Sequence, residues 1–121
     1  MTLEPLCSTA VDDQQTLIIQ SHYDAGTGTV RVAVSGDVDA GSAGQLHDTV
    51  TGAVRRHRPI RVELDCRGVT FLDCGGIRTL IQCQAAAESF RCQMVLVNTP
   101  RLVHRVLEIT GLLDHLDVQE P

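Results

Sequence analysis

Apolar and polar residues run along this chain in two different rhythms. Val30, Val32 and Val34 fall at every second position, with Arg31 and Ala33 between them, and Leu17-Ile18-Ile19 opens a shorter run that reaches Tyr23. A period of two marks a strand with one buried face, because successive side chains point to opposite sides of the pleat. Asp24-Ala25-Gly26-Thr27-Gly28 separates the two runs with turn residues, so a β-hairpin is predicted. Gly36-Asp37-Val38-Asp39 is predicted to end the second strand. The rhythm then changes: Leu46, Val50 and Val54 recur every four residues, while His47, Asp48, Thr51 and Arg55 lie off that stripe. This is one face of an amphipathic helix running to about residue 56. Asp39 or Ser42 can cap it, and Ser42-Ala43-Gly44-Gln45 has the spacing of a capping box.

Beyond Pro59 the period of two returns in Ile60, Val62 and Leu64, which predicts a strand over Ile60–Asp65 with these three on the buried face. A short turn is expected next, with Phe71-Leu72 returning to the core. Asp73-Cys74-Gly75-Gly76 interrupts the pattern, and Ile77, Leu80 and Ile81 restart it at helical spacing, with a small face from Ala85 and Ala87. That helix should run from Gly75 to Phe90. Met94-Val95-Leu96-Val97 is continuously apolar, as in an interior strand covered on both faces. Thr99 is a candidate cap and Pro100 suits the first position of a third helix, whose buried face would be Leu102, Val103, Val106 and Leu107. Gly111 is placed to end it in a left-handed cap, with Leu112 making the accompanying contact, and His115–Val118 reads as a short edge strand. The predicted order, ββαβαβα(β), is a single α/β domain: a mixed four- to five-stranded sheet with about three helices. Residues 1–15 are polar with little periodicity and are expected to be a flexible lead-in, which leaves 16–119 as the domain.

Composition narrows this picture. Aromatics make up 2% of the chain and Trp is absent, so the core must be aliphatic. A net charge of −5 argues against direct nucleic-acid binding, and Arg55-Arg56-His57-Arg58 reads as a solvated helix end rather than a binding patch. No apolar run approaches the roughly 18 residues that span a bilayer. Met1–Gln15 lacks the basic and apolar regions of a secretory signal. No membrane is expected as a partner, a cytoplasmic location is, and with it five reduced thiols, Cys7, Cys66, Cys74, Cys83 and Cys92. None of them forms a C-x-x-C pair, and Cys66, Cys83 and Cys92 read as small hydrophobes. The histidines show no ligand spacing, so neither a metal nor a cofactor is expected; His104 and His115 read as surface residues.

The candidate chemistry gathers at Asp73-Cys74-Gly75-Gly76, where a strand gives way to a helix N-terminus with unpaired N–H groups and a positive dipole end. A thiol in such a place is biased toward thiolate, which makes Cys74 a candidate redox sensor or enzyme nucleophile. A phosphatase would need arginine six residues after its cysteine; Leu80 follows Cys74 at that distance and Leu72 follows Cys66. No nucleophile elbow and no P-loop Gly-Lys pair is present. The simpler reading of Cys74 is a small packing residue. Asp39 and Asp73 admit two readings: paired acids or a metal pair, or structural carboxylates, Asp73 ordering its loop by accepting backbone N–H groups and Asp39 capping a helix. The second is compatible with docking a basic partner surface.

Three stretches coincide with the motifs of one family. Gly36-Asp37-Val38-Asp39 precedes the first helix, Val62 through Asp73 (Val-Glu-Leu-Asp-Cys-Arg-Gly-Val-Thr-Phe-Leu-Asp) precedes the second, and Val106-Leu107-Glu108-Ile109-Thr110-Gly111-Leu112 ends the third. Together they resemble the STAS domain family, the antagonists of anti-sigma factors, over nearly the whole chain from about residue 15. The resemblance implies a noncatalytic regulatory protein. Members bind an anti-sigma factor that is also a serine kinase with an ATPase-like domain, and so free a sigma factor. Phosphorylation of a serine at the helix N-terminus ends the contact, because phosphate adds roughly −2 charges. Carried over, Asp39 matches the loop aspartate, Asp73 the aspartate before the phosphorylation site, Cys74 the first serine, Gly75 the phosphoacceptor serine and Gly76 the glycine after it. The partner-binding residues implied are Asp37, Asp39, Asp73, Cys74, Gly75, Gly76 and Arg78. Glycine has no hydroxyl, so the family's switch cannot operate at Gly75. Either the antagonist is permanently active or its control lies elsewhere; Ser42, Thr70 and Thr79 are the nearby hydroxyls. On this reading, Gly75→Ser restores phosphate uptake if the loop geometry is otherwise intact.

Overall fold

The predicted hairpin forms from β1 (Ile18–Asp24) and β2 (Thr29–Val38), paired antiparallel. The computed structural model describes residues 17–119; the expected lead-in over residues 1–15, and Cys7 with it, lie outside the described residues. After the hairpin come α1 (Ala43–His57), β3 (Arg61–Leu72), α2 (Cys74–Ser89), β4 (Gln93–Val97), α3 (Arg101–Ile109) and β5 (Asp117–Val118). The five strands lie side by side in chain order, and every pair after the hairpin is parallel. A parallel pair needs a crossover, and each of the three helices among the described residues supplies one. The result is the expected single α/β domain with a mixed five-stranded sheet.

The helices share one core. Leu46, Val50 and Val54 of α1, Leu80, Cys83 and Ala87 of α2, and Val103 and Leu107 of α3 pack into a single cluster with Val30, Val32, Val34, Val62, Leu64 and Leu96 of the sheet. Burying each such Val or Leu side chain contributes about 1.5–3 kcal/mol. The alternate residues of β2 and β3 face the other way, where Glu63 pairs with Arg61 at 3.0 Å and with Arg31 at 3.7 Å. These half-exposed pairs contribute about 0–1 kcal/mol each.

Several expectations need correction, chiefly in β3. β2 ends at Val38, within the expected Gly36–Asp39 stretch, but β3 does not turn after Asp65. Both run on together until Val38 meets Leu72. The register moves from Ala33↔Asp65 to Ser35↔Gly68 and from Gly36↔Val69 to Asp37↔Phe71, so β3 carries one extra residue at each step. Such bulges change which side chains face inward. Val69 and Leu72 are therefore buried, whereas Phe71 is 47% exposed instead of entering the core. Ile60 precedes β3 and is 68% exposed. In α2, Ile77 and Ile81 are half-buried and Ala85 is exposed, while Gly76 and Thr79 join the buried face. α3 buries only Val103 and Leu107; Val106 is half-buried and Leu102 exposed, because this short helix presents a narrow face to the sheet. Its N-cap is Pro100 rather than Thr99, and the Pro100 carbonyl accepts from the His104 N–H at 2.9 Å.

The predicted end of α3 holds. Gly111 has φ +77°, its N–H donates to the Glu108 carbonyl at 3.1 Å, and the Leu112 N–H reaches the Leu107 carbonyl at 2.8 Å. This pair of bonds is a Schellman motif, and Leu112 packs against the core as expected.

Candidate functional site

Because β2 and β3 are parallel and end in register, the chain leaves both at the same edge of the sheet. Each strand turns there into a helix N-terminus, β2 into α1 and β3 into α2. Ligand and partner sites of α/β sheets lie at such carboxyl ends of strands. The Asp73 N–H donates to the Val38 carbonyl at 3.3 Å and ties the two corners together.

Asp73 is the N-cap of α2. Its Oδ1 accepts from the Gly76 N–H at 2.9 Å, and its carbonyl accepts from the Ile77 N–H at 2.9 Å. At the other corner Asp39 is not the cap of α1, whose N-cap is Ser42; instead it orders the loop before the helix, its Oδ1 accepting from the N–H groups of Gly41 at 2.9 Å and Ser42 at 3.0 Å. The capping box of Ser42 and Gln45 does not form. The Ser42 hydroxyl is turned back into the loop, where it donates to the Asp37 carbonyl at 2.7 Å and accepts from the Asp39 N–H at 3.1 Å. Asp37 in turn reaches across to β3, its Oδ1 accepting from the Thr70 hydroxyl at 2.8 Å.

Gly75 and Gly76 bring the corners into contact. A Cβ at position 75 would stand 2.8 Å from Ala40 Cα, 2.9 Å from Ala40 N and 3.0 Å from Ala40 Cβ. A Cβ at position 76 would overlap the Val38 carbonyl oxygen and lie 2.7 Å from Leu72 Cδ1. The first turn of α2 is thus pressed against the β2–α1 loop. This alters the expectation for Gly75→Ser: a serine Cβ has no room there unless the Ala40 backbone moves.

The remaining residues divide by exposure. Cys74 and Arg78 are exposed on α2, and Asp37, Asp39, Asp73 and Gly75 are half-exposed beside them. Of the three nearby hydroxyls, Ser42 and Thr79 are buried and Thr70 is exposed. Burial, with the nearby Asp65 charge adding to it, pushes the Cys66 thiol up to about 12. Burial alone pushes Cys83 up to about 12 and also raises Cys92. These three are inert core residues, as expected, and among the described residues Cys74 is the exposed cysteine. Among the described residues no three His, Cys, Asp or Glu side chains are grouped to hold a metal, and no helix is long and apolar enough to cross a membrane. Asp39 and Asp73 each spend a carboxylate oxygen on their own corner, which favours their loop-ordering role over paired-acid chemistry. Sequence reasoning missed two features, the Ala40 contact and the Thr70–Asp37 link. Both depend on how the strands lie side by side, and no local pattern carries that.

The family described as Mlab, STAS domain, matches residues 21–118. No curated protein matches the chain. Among solved structures, an anti-sigma factor antagonist from Mycobacterium paratuberculosis is similar with a TM-score of 0.72 at 23% identity, over 88% of this chain and 87% of that one. A variant of RsbS from Moorella thermoacetica gives 0.70 at 18% identity, over 85% and 86%. The phosphorylated form of the Bacillus cell fate determinant SpoIIAA gives 0.63 at 16% identity, over 85% and 92%. At these identities the likeness is one of fold.

Proposed function

This chain belongs to the STAS domain family, and from that premise we propose that it is a noncatalytic anti-sigma factor antagonist. Its two corners at the ends of β2 and β3 form one docking surface for an anti-sigma factor of the serine-kinase type, with an ATPase-like domain. Occupying that partner releases a sigma factor and so regulates transcription, in a cytoplasmic bacterial setting. Asp37, Asp39, Asp73, Cys74, Gly75 and Arg78 make up the surface, with the buried Gly76 packed against Val38 beneath them, and no phosphate switch operates at Gly75.

One observation carries this reading: the first turn of α2 and the β2–α1 loop are held in direct contact, Gly75 on Ala40, so that two separate motifs present a single rigid edge. The carboxylates there are engaged in holding that edge, which suits recognition better than proton transfer. The names of the structural neighbours support the same role.

The test is affinity capture from host cells, followed by identification of the retained proteins. Retention of an ATPase-domain anti-sigma factor is expected. Arg78→Glu reverses an exposed charge at the edge without touching the caps, and it should weaken that complex by about tenfold or more. The rival reading is a thiol-based sensor or enzyme centred on Cys74, and the exposure of that thiol is its support. It predicts loss of function in Cys74→Ser and no such partner. The binding reading predicts that Cys74→Ser still captures the partner.

A further inference from the structure

We infer that Thr70 is a phosphoacceptor, and that control of the docking edge passes through it rather than through position 75. The role of the edge rests on the function proposed above; the acceptor itself rests on four observations.

Thr70 is the exposed hydroxyl of the three near the edge, since Ser42 and Thr79 are buried. It is also the inserted residue of the second β3 bulge, between Val69↔Gly36 and Phe71↔Asp37. β3 pairs with β4 only as far as Asp65↔Val97, so the stretch from Cys66 to Leu72 is extended and pairs on the β2 side alone. A protein kinase reads its substrate as extended chain, and this segment already has that form. Finally, the side chains a kinase would read point outward: Arg67, three residues before Thr70, is exposed, and so is the apolar Phe71 directly after it. An arginine at that spacing supplies the charge pattern by which arginine-directed serine/threonine kinases select sites. Val69 and Leu72 stay buried and hold the segment in place.

The step is an ordinary phosphoryl transfer. The Thr70 Oγ1–phosphorus bond forms as the bond from the γ-phosphorus of ATP to its bridging oxygen breaks. The hydroxyl proton passes to the base of the kinase, and ADP leaves.

The position explains the consequence. The Thr70 hydroxyl donates to Asp37 Oδ1, and the Asp37 carbonyl in turn accepts from the Ser42 hydroxyl that anchors the β2–α1 loop. Phosphate replaces that donor with roughly −2 charges beside a carboxylate. The Asp37 contact is lost, and the loop that carries Asp39 and rests on Gly75 through Ala40 loosens.

The experiment treats the folded chain with the catalytic subunit of an arginine-directed serine/threonine kinase, ATP and magnesium, and maps the product by tandem mass spectrometry. One phosphate on Thr70 is expected. Thr70→Val abolishes it, the conservative Thr70→Ser retains it, and Arg67→Ala slows it by about tenfold or more. In the phosphorylated chain, the amides of Gly41 and Ser42 should exchange with solvent about tenfold faster. Absence of phosphate on the folded chain, or phosphate elsewhere with Thr70→Val unaffected, overturns the acceptor. Phosphate on Thr70 with unchanged exchange at Gly41 and Ser42 overturns the switch. Neither readout uses a partner, so failure of the proposed anti-sigma factor contact would leave this result standing and the reverse holds equally.

Discussion

Gly75→Ala tests the packing of the edge with the smallest possible change. The added Cβ meets three atoms of Ala40 at 2.8–3.0 Å, and two of them are backbone atoms that no rotamer change can move. Forcing a methyl into such a place costs about 1–3 kcal/mol. Alanine returns up to about 1 kcal/mol of helix propensity over glycine. The net expectation is a loss of about 1–2 kcal/mol, against a total stability on the order of 5–15 kcal/mol. For a domain of this size that lowers Tm by roughly 3–10 °C. Gly44→Ala in α1 is the matched control: its Cβ has nothing within 4 Å, so it should gain about 0.5–1 kcal/mol. Gly75→Ser should fall with Gly75→Ala, since the Cβ makes the clash. Ala40→Gly should not fully rescue either, because it removes only the 3.0 Å contact. Urea and thermal unfolding followed by far-ultraviolet circular dichroism measure all four. If Gly75→Ala is as stable as the parent chain, the corners are not in contact and the reasoning about position 75 fails.

Other consequences follow from the same geometry. Asp73→Ala removes the α2 cap and should cost about 1 kcal/mol in urea unfolding, while Asp73→Asn should retain most of it. Leu64→Ala, at the centre of the core, should cost about 2–5 kcal/mol by the same assay. The buried thiols set a pH dependence. Cys66 and Cys83 ionise near 9 when unfolded and only near about 12 when folded, so their contribution is intact below pH 9. Stability measured by urea midpoint should then decline as pH rises from 9 toward 12, and less so in Cys66→Ala. Iodoacetamide at neutral pH should modify Cys74 in the native chain and reach Cys66, Cys83 and Cys92 only when urea is added.

Much of the architecture was legible along the chain because each element has its own period. The α1 stripe of Leu46, Val50 and Val54, the buried run Met94–Val97 and the cap at Gly111 needed only local pattern, and all three appear as expected. What failed was register. The bulges of β3 depend on its partner β2, so the alternation from Ile60 to Phe71 could not show that Phe71 faces out or that the strand passes straight through Arg67-Gly68. The capping error has a similar source. Ser42 has the right spacing for a box, but Asp39 takes the Ser42 N–H, the Gln45 N–H goes to the Ser42 carbonyl, and the Asp37 carbonyl draws the Ser42 hydroxyl away. At the site, Asp73 as a loop-ordering carboxylate was readable from its place before a helix. Gly75 was only half readable: the sequence shows a glycine there, whereas its close approach to Ala40 depends on how the two corners pack and is visible only in the fold.

The central claim is that this edge binds an anti-sigma factor without being switched at Gly75. Its most direct test is calorimetric titration of the parent chain and of Arg78→Glu with the ATPase-domain anti-sigma factor captured from host cells, with ATP and magnesium present. The account predicts a saturable complex with the parent chain, weakened about tenfold or more by Arg78→Glu, and no phosphate on the peptide from Asp73 to Gly76 afterward. Equal affinity for both chains, or phosphate recovered on that peptide, would contradict it.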